Sequence, residues 1–150
     1  MAGSNPAPAA PPGPRRIVVG FDGSDPSQRA VRLALAWAHA SGASVWIVHA
    51  RETPRTVAEP ITEEEQGKGS AAVTEALDDL SRYAASIDVR VTVEVREGVP
   101  AEVLLRAVPE IAADLIVVGT RGLRGPARVL LGSVSSRVVG HATVPVVVVP

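Results

Sequence analysis

Three glycines at fixed spacing follow an apolar run in the last third of the chain. Residues 115–118 are apolar, Gly119 ends the run, and Gly122 and Gly132 follow, the last directly before Ser133. Because glycine has no Cβ, the backbone N–H groups of such a loop can approach an anion closely. A helix that begins after the last glycine adds unpaired N–H donors and the positive end of its dipole. This pattern is typical of a site that holds a chain of phosphates.

The charged residues around these glycines are all arginines. Between Gly119 and His141 there are four arginines and no Asp or Glu. They are Arg121, Arg124, Arg128 and Arg137. A guanidinium group matches the charge and the geometry of a phosphate, so these residues favour an anionic ligand. The alternative is that the glycines are only turn residues in a short connection between a strand and a helix.

Polar residues also follow the first apolar run of the chain. Residues 17–21 are apolar, and Asp22, Gly23 and Ser24 come directly after them. Asp22 therefore lies directly behind a predicted buried strand, as Gly119 does. Asp also commonly hydrogen-bonds its own turn, so the alternative is that Asp22 only shapes the turn.

Apolar periodicity predicts the elements that position these segments. Continuous or alternating apolar runs indicate strands, and apolar residues at intervals of three and four indicate helices. We predict strands over residues 17–21, 45–48, 89–95, 115–119 and 144–150. We predict helices over residues 25–42, 69–85, 98–112 and 133–141.

Some details of these elements are predicted more closely. Asp25 is the predicted N-cap of the first helix, with Pro26 at the first helical position. Trp37 of the first helix and Tyr83 of the second lie on the predicted apolar faces of their helices. We predict a long loop over residues 51–66, which contain two prolines and an acidic run.

The alternation of strands and helices predicts the fold class and the place of the ligand. Strands that alternate with helices imply right-handed crossovers and a parallel sheet between two helical layers. We predict an α/β fold with a three-layer, open, doubly wound parallel sheet of order 3-2-1-4-5, which is Rossmann-like. Ligands of such sheets bind outside the carboxyl ends of the strands, where the strand order reverses. Residues 21–24 and 119–122 lie at those ends, so topology and glycine pattern indicate one site.

The two edges of the predicted sheet differ. In residues 89–95 valines alternate with polar residues, which indicates an edge strand with one buried face. The last strand contains Val146–Val149, which is apolar on both faces and has no charge or internal proline. An unguarded apolar edge can pair with another chain. We therefore predict a homodimer through Val146–Val149.

The composition narrows the class of protein. Of the 150 residues, we predict a disordered, Ala/Pro-rich tail over residues 1–14 and one domain over residues 15–150. The tail has neither the basic nor the apolar region of a signal peptide, so we do not expect one. The chain has no cysteine, which excludes disulfides and thiolate catalysis and favours a cytoplasmic location. A net charge of −1 predicts no nucleic-acid binding, and no apolar run approaches the ~20 residues of a membrane span.

The glycine pattern resembles a known signature. Gly119-x2-Gly122-x9-Gly132-Ser133 is similar to the G-2x-G-9x-G-(S/T) nucleotide-binding signature of the universal stress protein family, in its ATP-binding branch. Residues 17–24 resemble the opening strand of that family and its Asp. The resemblance extends over nearly the whole predicted domain, and implies the fold of adenine-nucleotide α-hydrolase-like proteins.

The resemblance also implies a role for each residue of the site. Asp22, with Gly23 and Ser24 beside it, would lie near the ribose or the phosphate-bound metal, and the backbone of Ala50 would meet the adenine edge. Residues on the ribose–phosphate path would be Gly119, Arg121 and Gly122. Residues that hold the β- and γ-phosphates would be Gly132, Ser133, Val134 and Ser135. The implied cofactors are ATP and Mg²⁺ or Mn²⁺. The alternative for Ser135 is an ordinary first-turn residue of the helix.

Absent motifs limit the enzymatic interpretations. The chain has no G-x-x-x-x-G-K-(S/T) motif of Walker-type ATPases and no G-x-S-x-G elbow of α/β-hydrolases. Asp22 is the evident candidate for a general base at the predicted site, and phosphoryl transfer needs a positioned nucleophile and base besides phosphate contacts. We therefore predict slow or no hydrolysis. The resemblance implies an ATP-binding, nucleotide-dependent regulator in the stress response, which would act through an unknown protein partner.

Other functions stay open at this point. One is a weak ATPase or phosphotransferase with Asp22 as metal ligand, and another is a nucleotide-free dimerisation module. A flavodoxin-like FMN protein would share the topology, but of the few aromatic residues only Phe21 adjoins the predicted site. The residues do not separate ATP from AMP or a cyclic nucleotide.

Overall fold

The structure is a computed structural model that describes residues 13–52, 63–120 and 131–150. The strands are β1 (Arg16–Gly20), β2 (Ser44–Arg51), β3 (Val91–Glu97), β4 (Leu115–Gly119) and β5 (Val146–Val149). The helices are α1 (Asp25–Ser41), α2 (Glu63–Ser86), α3 (Pro100–Ile111) and α4 (Ser133–His141). Most of the predicted tail lies outside the described residues, so the tail stays a prediction.

The strands form one parallel sheet of order β3-β2-β1-β4-β5. In the central strand, Val19 lies opposite Ile47 of β2 on one side and opposite Val117 of β4 on the other. This is the predicted order 3-2-1-4-5, and the α/β doubly wound fold is confirmed. The order reverses between β1 and β4, so the carboxyl ends of these two strands flank the crevice in which such folds bind ligands.

Two apolar layers cover the two faces of the sheet. Alternate residues of a strand point to opposite faces, so Ile17 and Val19 pack with Leu35 of α1, whereas Val18 packs with Val103 of α3. Helices α1 and α2 lie on the first face, and α3 and α4 lie on the second. The central strands are buried on both faces, which is why they read as continuous apolar runs.

Helix α1 begins one residue earlier than predicted. The N-cap is Ser24, whose Oγ accepts a hydrogen bond from the Ser27 N–H at 3.3 Å, and Asp25 is the first helical residue rather than the N-cap. The buried face of the helix includes Val31 and Leu35. Trp37 lies beside this face and is 39% exposed, so its predicted inward orientation is wrong.

Helix α2 begins at Glu63, so the predicted loop over residues 51–66 is too long. Acidic residues suit the positive end of a helix dipole, and the acidic run forms the first turn rather than the end of a loop. The buried residues of α2 are Leu77, Leu80 and Ala84. Tyr83 is 42% exposed, contrary to the prediction, and the Arg32 guanidinium of α1 lies 5.7 Å from its ring centroid.

The sheet has edges at β3 and β5, as predicted. The apolar face predicted for residues 89–95 is buried only at Val89, which precedes β3, whereas Val95 within β3 is 50% exposed. On its other face the Arg96 guanidinium donates to the carboxylates of Glu94 and Glu110. Burial tends to lower the pKa of Arg96, but these hydrogen bonds and the charges of both carboxylates raise the pKa above its ordinary value.

Helix α3 ends soon after its internal proline. Pro109 lies in the last turn, where a proline ring does not allow the helix to run on undisturbed, and the helix stops at Ile111. The C-cap residue Ala112 has a left-handed backbone, with φ 54° and ψ 46°. No helix in the described part of the chain is long and apolar enough to cross a membrane.

Candidate functional site

The turn between β1 and α1 is shaped by the Asp22 carboxylate. Its Oδ1 accepts hydrogen bonds from the Ser24 N–H at 2.9 Å and from the Ser24 Oγ at 2.5 Å. Gly23 between them has a φ of +86°, a value that residues other than glycine rarely adopt. The Gln28 side chain closes the turn from the helix by donating to the Gly23 carbonyl at 3.2 Å. Asp22 therefore has the turn role that was the alternative to a ligand role.

Gly119 is needed for the packing of α1 on the sheet. A Cβ at this position would lie 2.8 Å from the Pro26 Cβ and 2.9 Å from the Ser27 backbone nitrogen. Ser27 also contacts the other half of the site, since its Oγ accepts the Asp22 N–H at 3.4 Å. The first turn of α1 thus joins the carboxyl ends of β1 and β4, and it fills the space on the side of Gly119 where a Cβ would lie.

The strand β4 and the helix α4 are tied together at Thr120. The Thr120 carbonyl accepts the Gly132 N–H at 2.5 Å and the Ser135 hydroxyl at 2.9 Å, and the Thr120 N–H donates to the Val149 carbonyl at 2.7 Å. The Ser135 hydroxyl also lies 3.1 Å from the Gly132 carbonyl, and the residue is 2% exposed. Since its one hydroxyl hydrogen points to these carbonyls, Ser135 holds the helix start in place and does not offer this hydrogen to a ligand.

The N-terminus of α4 has backbone N–H donors without an intrahelical partner. Gly132 is its N-cap, no side chain caps it within the described residues, and its first turn contains no acidic residue. The backbone N–H groups of Ser133, Val134 and Ser135 precede the first intrahelical bond, which begins with the Ser136 N–H to the Gly132 carbonyl at 3.0 Å. Helix α1, by contrast, is capped by a serine and starts with Asp25. Of these two helix starts, α4 is the one that can take an anion.

At the carboxyl end of β2, a histidine holds the end of β1. The Phe21 N–H donates to the Val48 carbonyl at 3.0 Å, and the Phe21 carbonyl lies 2.8 Å from Nδ1 of His49. Register pairing between β1 and β2 ends at Gly20 and Val48. Ala50, which follows His49, is half-buried beside the opening that forms where β1 and β2 cease to pair. His49 is not among the predicted site residues, although its place at the end of a strand beside the predicted site could have indicated it.

Some predicted site residues cannot be placed. Arg121 and Gly122 lie outside the described residues, as do Arg124 and Arg128. Arg137 is described, and its guanidinium donates to the Glu102 carboxylate of α3 at 3.1 Å. Arg137 therefore forms an ion pair within the helical layer of α3 and α4.

The described residues limit how a metal could be held. Among them, no group of three or more His, Asp or Glu side chains is arranged to hold a metal ion. Mg²⁺ usually keeps several waters and binds through one or two carboxylates together with substrate phosphates. Asp22 fits that mode, since it offers one carboxylate at the crevice, and it does not fit a metal site built from protein ligands alone.

Comparison with known proteins gives one family. The sequence profile of the universal stress protein family matches residues 13–150. A universal stress protein of Thermus aquaticus is 38% identical over 142 residues, which covers 90% of this chain and 98% of that protein. One of Methanocaldococcus jannaschii is 35% identical over 142 residues, covering 90% and 81%. A universal stress protein solved in complex with cAMP is 31% identical, with a TM-score of 0.67 over 91% of this chain and 96% of its own. The chain belongs to the universal stress protein family.

Proposed function

We propose that this protein binds an adenine nucleotide at the crevice between β1 and β4 and acts as a nucleotide-dependent regulator in the stress response. The observation that carries the proposal is the α4 N-terminus, whose three first-turn N–H groups lack intrahelical partners and adjoin the end of β4. The 31% identical relative solved with cAMP supports an adenine ligand. The cysteine-free composition favours the cytoplasm as the place of action.

The nucleotide would lie along the carboxyl edge of the sheet. Its phosphates would contact the backbone of Gly132 and the N–H groups of Ser133, Val134 and Ser135. The guanidinium of Arg121 would neutralise part of the phosphate charge. Its ribose would pass Gly119 and Gly122, and its base would meet the backbone of Ala50. The turn formed by Asp22, Gly23 and Ser24 would lie beside the metal ion that the phosphates carry. We propose ATP as the ligand, because three first-turn donors suit several phosphate oxygens.

Mg²⁺ or Mn²⁺ would be held by the nucleotide phosphates and by the Asp22 carboxylate. When bound, the ion would neutralise phosphate charge and orient the phosphate chain. The described residues at the site offer Asp22 as a carboxylate, and its Oδ1 accepts from Ser24. Because the Asp22 carboxylate already accepts two hydrogen bonds from Ser24, it is poorly suited to act as a general base, and hydrolysis would be slow or would not occur.

Assembly would couple to the ligand through the sheet. The Thr120 N–H that follows β4 bonds to the Val149 carbonyl of β5, so the loop stem and the edge strand share a contact. We propose that Val146–Val149, which is half-buried on this edge, pairs with a second copy to form a homodimer. The signal would then pass to a protein partner through the dimer.

The test of the ligand is direct. Purified protein is denatured, any released nucleotide is identified, and ATP–Mg²⁺, AMP and cAMP are titrated by calorimetry. We expect co-purified nucleotide or micromolar binding in wild type. In Gly132→Val, a branched side chain lies at the first-turn N–H groups, and binding should fall by a factor of about 100 or more.

Gly140→Val is the matched control, because it lies in the last turn of the same helix with nothing within 4 Å of its Cβ position. It should bind as wild type does. Absence of released nucleotide together with absence of binding would reject the proposal and leave a nucleotide-free dimerisation module.

A further inference from the structure

The polar groups of β2 alternate between its two neighbours. The Val45 N–H donates to the Arg90 carbonyl beside β3 at 2.9 Å, whereas the Ser44 N–H donates to the Arg15 carbonyl beside β1 at 2.9 Å. Successive residues of a strand face opposite neighbours. Ala50 has the parity of Ser44, so its backbone N–H faces the β1 side.

In a regular parallel ladder the Ala50 N–H would donate to the Phe21 carbonyl. The preceding bond of that ladder is present, from the Phe21 N–H to the Val48 carbonyl at 3.0 Å. The next one is not: the Phe21 carbonyl is contacted by Nδ1 of His49 at 2.8 Å, and it accepts no bond from the Ala50 N–H. A side chain has taken the place of a backbone donor.

The partner of the histidine fixes its tautomer. A backbone carbonyl can only accept, so Nδ1 of His49 must carry the hydrogen in this contact. The donor is supplied by the residue directly before Ala50. His49 therefore ends the pairing of β1 with β2 while β2 continues to pair with β3 as far as Arg51 and Glu97.

We propose that His49 is the positioning residue for the base end of the site. Its Nδ1–H occupies the Phe21 carbonyl, and the Ala50 N–H is left as a free donor in the opening between β1 and β2. Such a donor suits a ring nitrogen of an adenine base, which has acceptors only in its ring. The inference rests on the proposed function for its ligand, but the freed N–H is a property of the protein alone.

The first test needs no ligand. Amide hydrogen exchange is measured by NMR on the wild-type protein and on His49→Leu. In wild type the Ala50 amide should exchange about 100-fold faster than the Val48 amide, which lies in the ladder. In His49→Leu the Phe21 carbonyl becomes available, and exchange at Ala50 should slow by about tenfold or more. Slow exchange at Ala50 in wild type would overturn the inference.

The second test uses AMP and ribose 5-phosphate, which lacks the base. His49→Asn keeps an N–H donor near the position of Nδ1, and His49→Phe keeps only the ring. AMP affinity should fall about tenfold in His49→Phe and return to within about threefold of wild type in His49→Asn, while ribose 5-phosphate binding stays constant. Equal losses in both variants would overturn the positioning role.

His39 provides the matched control. Its Nδ1 lies 2.8 Å from the Ile87 carbonyl, which precedes β3 and therefore lies toward the amino ends of the strands, away from the site. His39→Phe removes a similar hydrogen bond and should leave AMP affinity unchanged. If wild-type protein binds no adenine nucleotide, the proposed function fails, and amide exchange at Ala50 alone decides the assignment of His49.

Discussion

At Gly119 the backbone of β4 approaches the first turn of α1 so closely that a Cβ would lie 2.9 Å from two backbone atoms of that turn. The glycine pattern predicted a ligand contact at this residue, and the structure shows a packing requirement there. The two neighbouring serine positions also differ. Ser133 is exposed, whereas Ser135 is buried and bonded to backbone carbonyls. Residues of one signature thus have separate tasks.

Gly119→Ala should destabilise the protein before any effect on ligand binding. The added methyl group meets backbone rather than flexible side-chain ends, so we expect a loss of about 1–3 kcal/mol in the free energy of unfolding. Gly140→Ala, in an open position of α4, should instead gain about 0.5–1 kcal/mol. Urea denaturation of both variants measures this. Equal stability of Gly119→Ala and wild type would contradict the packing role.

Ser135→Ala should lower the stability of the fold, whereas Ser133→Ala should lower the affinity for ATP. Loss of the Ser135 hydroxyl removes the bonds to Thr120 and Gly132, and the free energy of unfolding should fall by about 1 kcal/mol. Ser133→Ala should leave stability unchanged and weaken ATP binding about tenfold, because its exposed hydroxyl is at the uncapped helix start. Urea denaturation and calorimetry separate the two. A stable Ser135→Ala with lost ATP binding would show a direct phosphate contact.

Asp22→Asn tests the metal role without removing the turn. The amide oxygen can still accept from Ser24, but the negative charge is lost. ATP affinity should fall about tenfold or more in the presence of Mg²⁺ and should not fall in EDTA, because an ion then no longer bridges carboxylate and phosphates. Calorimetry in both buffers gives the comparison. The same loss in both would assign Asp22 to the turn alone.

The helices of this protein differ most at their ends. Helix α1 is capped by the Ser24 hydroxyl and by Gly42, whose φ is +76°. Helix α4 has no side-chain cap in the described part of the chain. Helix α3 ends at Ala112 in a left-handed conformation that costs a residue with a Cβ about 1 kcal/mol. A cap satisfies the terminal backbone groups of its own helix, whereas a helix start without a cap keeps these groups available to a ligand.

Ala112→Gly should stabilise the fold, because glycine adopts a positive φ without steric cost. We expect a gain of about 0.5–1 kcal/mol after the entropy of the unfolded chain is counted. The same substitution at Ala36, an exposed position inside α1, should lose about 1 kcal/mol. Thermal and urea denaturation measure both. A loss of stability in Ala112→Gly would contradict the strain at the α3 cap.

The whole molecule presents two unlike sheet edges. The β3 edge carries the ion pairs of Arg96, which guard it, and has two exposed valines near its carboxyl end. The β5 edge consists of four half-buried valines and carries no charge within the strand. A guarded edge resists pairing with other chains, so β5 is the edge that we expect to assemble.

Val147→Glu should convert the proposed dimer into a monomer, because a carboxylate would be buried without a partner in the interface. Light scattering after size-exclusion chromatography measures the mass, and circular dichroism confirms that the variant is folded. Val95→Glu places the same charge on the opposite edge, at a residue that is 50% exposed, and should leave the mass unchanged. A folded Val147→Glu variant that keeps the dimer mass would place the interface elsewhere.

Periodicity in the sequence was sufficient for the sheet. The central strands are buried on both faces and appear as runs such as residues 115–119, so strand order, edges and crevice could be predicted. Helix boundaries were less well predicted. Ser24 and Asp25 are both good N-cap residues, and choosing between them depends on the turn that Asp22 makes. The start of α2 was missed because glycines and charges weaken its apolar pattern.

The fold class, the crevice and the family signature could be predicted from the residues alone, because these depend on periodicity and on spacing along one chain. The task of each residue at the crevice became clear from the packed structure. Gly119 packs against α1, Ser135 ties β4 to α4, and His49 occupies the Phe21 carbonyl. These contacts join residues of different elements, and their partners are set by the distances between packed strands and helices, which spacing along the chain does not contain.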